Sequence, residues 1–195
     1  MTSRKRNLYL PIEIIARELD SKLLICAHAL NKGFRVYIGS KNEIYKLALT
    51  NGDGEYLGKD HGPQSTATYK NLFDAGVNIY CLDEEGFIFH SEDEYQKRLD
   101  ADVFAMATSI FVWGENQRNT IERAIPNSTG KLTITGNPRF DILSTHLRKH
   151  FWNKPAEIDK FDNYIFISSM FAAGNWEPLM YGTRDYVDHQ FSRGK

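Results

Sequence analysis

Short apolar runs of β character alternate with helical runs along most of this chain, from Leu8 to about Arg148. That order constrains the fold more than any single motif, because strand–helix–strand units build a parallel sheet covered by helices. Leu8–Ile12 reads as the first strand. The helix after it places Leu19, Leu23, Cys26, Ala27 and Leu30 on one face of a 3.6-residue period, predicting that face for the core. Lys32-Gly33 ends it, and Phe34–Ile38 reads as the second strand. A short helix over Glu43–Leu49 and a third strand over Glu55–Gly58 follow. Thr66–Asp74 reads as helix, Val77–Leu82 as strand, Glu92–Leu99 as a charged amphipathic helix, and Ser109–Trp113 as strand. Asn116–Ala124 is expected as a helix N-capped by Asn116 and stopped at Pro126. Leu132–Thr135 is the next strand, and a helix is expected from about Phe140 to Arg148.

Strand and helix thus repeat about six times, which predicts an α/β fold: a Rossmann-like, doubly wound, mostly parallel sheet. Residues 1–150 are expected to form this domain. Residues 151–163, polar and broken by Pro155, read as a linker, and 164–195 as the start of a second domain cut short, opened by a strand over Tyr164–Phe171.

The 195 residues carry a net charge of −1, so nothing favours nucleic acid as a partner. No apolar run approaches the roughly 20 residues that cross a bilayer, leaving peripheral association as the membrane role still open; the small basic cluster Arg4-Lys5-Arg6 reads as a solvated tail, with weak attraction to anionic lipid as the lesser reading. Cys26 and Cys81 sit in apolar stretches and form no disulfide framework, and the start does not read as a signal peptide; the expected compartment is the cytoplasm.

Ligands of doubly wound sheets bind where loops leave the carboxyl ends of strands. Four polar clusters follow predicted strands and fall on that one edge. The first joins Glu13 to Arg17, Glu18, Asp20 and Lys22 at the opening of the first helix, where nucleotide-binding sheets meet phosphates. No G-x-G-x-x-G precedes it, and a plain Glu18–Lys22 salt-bridge face explains it equally well. In the second, Asp60-His61-Gly62-Pro63, His61 suits proton transfer or a hydrogen bond to a sugar hydroxyl or phosphate, with Gly62 admitting close approach; a loop histidine capping a carbonyl is the plainer account. In the third, Asp83-Glu84-Glu85-Gly86 offers a general base, or equally a solvated acidic loop. In the fourth, Gly136-Asn137-Pro138-Arg139, a tight turn sets Arg139 at a helix start, against the macrodipole, which favours a cleft-facing or anion-binding role. Zinc-ligand spacing, a G-x-S-x-G elbow and a P-loop are absent, and no metal or cofactor is expected.

Several of these runs resemble a known family. Leu8-Tyr9-Leu10-Pro11-Ile12-Glu13 with Arg17-Glu18-Leu19-Asp20-Ser21-Lys22 is similar to the start of bacterial surface carbohydrate biosynthesis proteins, as are Tyr56–Gly62, Cys81–Gly86 and Trp113-Gly114-Glu115-Asn116-Gln117. Ile134-Thr135-Gly136-Asn137-Pro138-Arg139-Phe140-Asp141 resembles the T-G-N-x-x-x-D turn of GT-B enzymes such as Kdo transferases and UDP-N-acetylglucosamine 2-epimerases. The resemblance implies the N-terminal half of a GT-B glycosyltransferase for surface polysaccharide or lipopolysaccharide, using a nucleotide sugar as donor substrate and a glycan or lipid-linked acceptor. It implies catalytic roles for Glu84, Glu85 and His61. Substrate contacts are implied for Glu13, Arg17, Asp20, Lys22, Asp60, Gly62, Asp83, Gly114, Gln117, Asn137 and Arg139. A second domain from another chain would then hold most of the donor, and the half alone would be inactive. A UDP-sugar epimerase and a non-catalytic binding module are the alternatives.

Overall fold

The computed structural model describes residues 6–87, 89–151, 160 and 165. The chain divides into two units, Met1–Asn153 and Lys154–Lys195. The expected linker and the expected strand over Tyr164–Phe171 lie outside the described residues, apart from Lys160, Ile165 and Phe151, which belongs to a helix and not to the linker.

The first unit is built on a six-stranded, all-parallel sheet. Its strands are β1 (Asn7–Ile12), β2 (Arg35–Ser40), β3 (Glu55–Gly58), β4 (Asn78–Leu82), β5 (Ser109–Val112) and β6 (Leu132–Ile134), in the spatial order β2-β1-β3-β4-β5-β6. The helices are α1 (Ile15–Asn31), α2 (Lys41–Asn51), α3 (Thr66–Asp74), α4 (Glu92–Gln96), α5 (Ala101–Met106), α6 (Glu115–Ala124), α7 (Pro138–Asp141) and α8 (Thr145–Phe151). The sheet is the Rossmann-like, doubly wound one that the alternation predicts. Its order reverses between β1 and β3, which makes that junction the topological switch point.

Successive strand residues point to opposite faces, and the core divides accordingly. On one face Tyr9, Tyr56, Ile79, Ile110 and Val112 pack with Ile44 and Ala48 of α2, Tyr69 and Leu72 of α3, Phe104 of α5 and Ile121 of α6. On the other, Leu10, Leu57 and Leu82 pack with Ile25 and Cys26 of α1. Burying each large side chain contributes about 1.5–3 kcal/mol. The buried tyrosines also need hydroxyl partners: Asn51 Nδ2 donates to Tyr9 Oη at 2.7 Å, and Tyr69 Oη donates to the Asp60 carbonyl at 2.9 Å. Gly58 leaves room for that Tyr69 hydroxyl, which a Cβ would strike.

Local chemistry sets the helix ends. Ser40 Oγ accepts from Glu43 N at 3.4 Å and Ser91 Oγ from Glu94 N at 3.2 Å, two Ser-x-x-Glu starts, and Gly52 closes α2 in the left-handed region at φ +63°.

Three helical expectations need correction. The predicted core face of α1 is not the buried one: Leu23 and Leu30 are 42% and 55% exposed, while Glu18, Ser21, Lys22 and Ala29 are buried. The inward positions of its first turns are polar because each charge there has a partner, Glu18 in the preceding turn and Lys22 in Glu84. The expected helix over Phe140–Arg148 is split into α7 and α8. Helix α5, with Asp100 Oδ1 accepting from Asp102 N at 2.8 Å, was not anticipated.

Candidate functional site

At the switch point the turn between β1 and α1 is closed by the chain itself. Ile14 is the N-cap residue and its side chain makes no capping bond. The fully buried Glu18 carboxylate reaches back instead, accepting from Glu13 N at 2.9 Å and from Ile14 N at 3.2 Å. Arg17 Nη2 adds a contact to Glu18 Oε1 at 3.4 Å. An anion therefore already sits where doubly wound sheets offer peptide N–H groups to a ligand phosphate. Glu18 does not pair with Lys22.

Lys22 instead pairs with Glu84, Nζ to Oε1 at 3.2 Å, with side chains 1% and 4% exposed. The contact is an ion pair by distance and not an aligned hydrogen bond, and Glu84 Oε2 has no hydrogen-bond partner. The Glu84 backbone is held too: its N donates to the Lys59 carbonyl at 3.0 Å, and Arg139 Nη1 donates to its carbonyl at 3.2 Å. Arg139 is thus committed to the β4 loop.

A second buried group centres on the Tyr95 hydroxyl. It donates to Asp83 Oδ2 at 3.1 Å, accepts from Gln117 Nε2 at 2.6 Å, and lies 3.1 Å from His61 Nε2. With its single proton given to Asp83, the hydroxyl is an acceptor toward the imidazole, so the network assigns the His61 proton to Nε2. His61 Nδ1 is then a bare acceptor, and it has no hydrogen-bond partner. Burial holds the His61 pKa below its ordinary value, opposed by the Asp83 and Asp60 carboxylates. Burial, then Asp83, pushes the Tyr95 phenol up. Asp83 Oδ1 accepts from Glu85 N at 2.9 Å and from Arg98 Nη2 at 3.3 Å, and the Asp83 carbonyl accepts from Trp113 Nε1. Asp60 is buried and turns back on Gly62, whose N donates to its Oδ1 at 3.3 Å.

Two openings lie along the same edge. One is a polar cleft of about 150 Å³ beside the switch point, lined by Glu13, Arg17, Lys41, Lys59, Glu85 and Arg98 among others. Glu13 pairs with Lys59 and, at 3.9 Å, with Lys41. Glu85, with its side chain 61% exposed, is held loosely by Arg17 at 3.5 Å and Arg98 at 3.8 Å.

The other is an open cavity of about 620 Å³ among the loops after β4, β5 and β6, bounded by Phe87, Trp113, Gly114, Glu115, Asn137 and Phe140 among others. Phe89 lines it together with a cluster of three mutually packed rings, with centroids 5.2 Å apart for Phe87–Trp113, 4.9 Å for Phe87–Phe140 and 5.3 Å for Trp113–Phe140. The start of α6 faces this space. Its N-cap residue is Gly114, with no side-chain cap, and not the expected Asn116. Gln117 Oε1 turns back to accept from Trp113 N at 2.7 Å. Asn137 Oδ1 caps α7 by accepting from Arg139 N at 3.0 Å, and its buried Nδ2 has no hydrogen-bond partner.

The residues singled out from the sequence thus separate into groups. Glu13, Arg17, Asp60, Asp83, Glu84 and Glu85 meet at the polar cleft, where the side chain of Glu84 is buried against Lys22. His61, Asp83 and Gln117 form the buried network. Gly114, Gln117 and Asn137 border the aromatic cavity, Gly62 turns on Asp60, and Asp20 lies exposed on α1. Sequence reasoning missed Tyr95, Arg98, Lys41, Lys59 and the Phe87–Trp113–Phe140 wall. Trp113 directly precedes Gly114 and Phe140 follows the Gly136-Asn137-Pro138 turn, a signal available in the sequence. Tyr95 gave none, being one aromatic in a charged helix.

Among the described residues no group of His, Cys, Asp and Glu is arranged to hold a metal ion, and no helix is long and apolar enough to cross a membrane. Fold and edge together define a doubly wound α/β domain with an aromatic cavity and a polar cleft side by side. Comparison with protein-family models, curated proteins and solved structures found no match to this chain.

Proposed function

We propose that this chain is the acceptor-side half of a glycosyl-transfer system for surface polysaccharide or lipopolysaccharide. It receives a glycan or lipid-linked acceptor at the carboxyl edge of the sheet, while a second domain holds most of the nucleotide-sugar donor. The observation that carries this reading is the cavity of about 620 Å³ walled by Phe87, Trp113 and Phe140. Its volume falls in the range of small-molecule sites, roughly 300–1,000 Å³, and it opens where doubly wound sheets bind ligands. Aromatic walls suit the C–H faces of sugar rings.

The base in this reading is Glu85. Its carboxylate is exposed and only loosely held by Arg17 and Arg98, whereas Glu84 is sealed against Lys22. Glu85 takes the proton of the acceptor hydroxyl as that oxygen attacks the anomeric carbon of the donor, and the nucleotide leaves with the bonding pair. His61 touches no substrate; with Tyr95 and Gln117 it positions Asp83, and through Asp83 the β4 loop that carries Glu85.

Calorimetric titration of the full chain with short glycans, a polyprenyl-phosphate sugar and nucleotide sugars tests the reading. Saturable binding of glycan or lipid-linked sugar is expected, with Glu85→Gln weakening it severalfold. No heat with any acceptor, from a folded sample, overturns it. A non-catalytic glycan-binding module is the second reading, favoured by the burial of His61, Asp83 and Glu84. Acceptor binding that is indifferent to Glu85→Gln selects it.

A further inference from the structure

We infer that the aromatic cavity is a subsite for an uncharged pyranose bearing an N-acetyl group, with the acetamido carbonyl held by Asn137 Nδ2 and the first-turn N–H groups of α6. The inference rests on the proposed glycan binding and names the sugar class that this edge takes.

Three observations converge on it. The first is the donor set. The leading N–H groups of a helix have no partner within it, and at α6 no side chain supplies one. A Cβ added at Gly114 would meet nothing within 4 Å, so space lies open above that turn. Asn137 is 3% exposed, and its orientation is fixed because Oδ1 is spent on Arg139 N; Nδ2 is left buried with a hydrogen still to donate. A buried donor without a partner costs free energy until an acceptor arrives. Both donors border one cavity, so a single acceptor-only group, a carbonyl, suits them better than a hydroxyl, which brings a proton of its own.

The second is the wall. Phe87 and Phe140 are 57% and 49% exposed, large apolar rings left uncovered around Trp113. They offer stacking for a ring face and an apolar seat for the acetamido methyl group.

The third is charge. Among the described residues, the one titratable side chain bordering the cavity is Glu115, and no Lys or Arg lines it. A phosphate at the α6 terminus would meet that carboxylate with no counter-cation, which disfavours sugar phosphates and uronates. The neighbouring polar cleft differs in carrying cations, Arg17, Lys41, Lys59 and Arg98, among the carboxylates that line it.

The test is ¹⁵N-detected titration of the full chain, following the Trp113 indole and the Gly114, Glu115 and Asn116 amides. The probes are N-acetylglucosamine, glucose, glucuronate, glucose 1-phosphate and UMP. N-acetylglucosamine is expected to shift these signals saturably, with glucose at least fivefold weaker and the anions weaker still. Asn137→Asp keeps the Oδ1 cap of α7 while removing the donor, and should weaken N-acetylglucosamine at least fivefold. Phe140→Ala, at a half-exposed position, should weaken it about tenfold without unfolding the domain. Equal binding of glucose, tighter binding of an anion or of UMP, or indifference to both substitutions overturns the inference. If N-acetylglucosamine fails while longer glycans bind in calorimetry, this inference falls and the proposed function stands. If neither binds, both fall.

Discussion

Two helix starts face the same edge of the sheet, and they are built in opposite ways. At the β1–α1 turn the buried Glu18 carboxylate takes the Glu13 and Ile14 peptide N–H groups, and the Lys22–Glu84 pair seals the space behind it. At the β5–α6 turn Gly114 leaves the helix uncapped above a cavity walled by aromatic rings. A helix terminus satisfied from within contributes to stability and offers little to a ligand. One left open gives up some stability and keeps its donors available. In a doubly wound sheet the first helix is the customary seat for a phosphate. Here that seat is filled, and the open helix start with its cavity lies further along, at β4–β6.

The largest way to break this contrast is at the closed end. Glu18→Ala strips two peptide N–H groups of their acceptor and Arg17 of a partner, and should cost about 2–4 kcal/mol. Glu18→Gln keeps one acceptor oxygen and should recover about half of that loss. Urea unfolding of the three proteins checks both values, and a loss within 0.5 kcal/mol, the level of about an ordinary surface change, would show that Glu18 is not the cap.

A smaller effect concerns the interior behind the two turns. Burial depresses the His61 pKa in the folded state, so below about pH 6.5 the unfolded chain binds a proton that the folded one does not. Stability attached to His61 is therefore complete above that pH. It falls as the pH drops below it, by up to about 1.4 kcal/mol per unit, until the folded-state pKa is reached. Unfolding free energies at pH 7.5 and 5.5 should differ more in the native chain than in His61→Gln, with stability lower at pH 5.5. Parallel pH dependences of the two proteins would remove the assignment.

The smallest effect in stability sharpens the contrast instead. Gly114→Asp gives α6 an acceptor of its own, in extended backbone that any residue adopts and with open space for the side chain. The gain should be a few tenths of a kcal/mol, at the cost of most sugar binding, because the open terminus then resembles the closed one. Thermal melts and the sugar titration, run on one preparation, read both sides. Unchanged sugar binding would sever the link between the uncapped helix and the cavity.

How far the sequence revealed this edge depended on how locally each feature is encoded. The strands were legible because apolar and β-branched residues cluster between glycine and polar turns, and β3 falls where Glu55–Gly58 was read. The α1 face was misread because periodicity counts apolar residues, while that helix buries Glu18 and Lys22 against partners supplied by the turn before it and by the β4 loop. Pairing across that distance leaves no periodic trace. The Gly114 cap was missed for a related reason, since Asn116 at the head of a helical run reads as a cap whether or not its side chain is used. The convergence of polar loops on one edge was legible, since each cluster follows a strand. Which of them are buried was not, because exposure depends on how Tyr95 and Arg98 fold back over the β4 loop.

The reversal of strand order between β1 and β3 also bears on how the molecule assembles. Tyr9 pairs with Tyr56 across the longest sequence separation of any register in the sheet, with β2 and the helices on either side of it in between. Every other pair joins neighbours in chain order. The loop-closure entropy of folding is therefore greatest at this one seam. The βαβ units on either side, β1–α1–β2 and β3–α3–β4, close shorter loops, so the Tyr9–Tyr56 seam is where the two halves of the sheet depend on the most distant contact in the chain order of its strands.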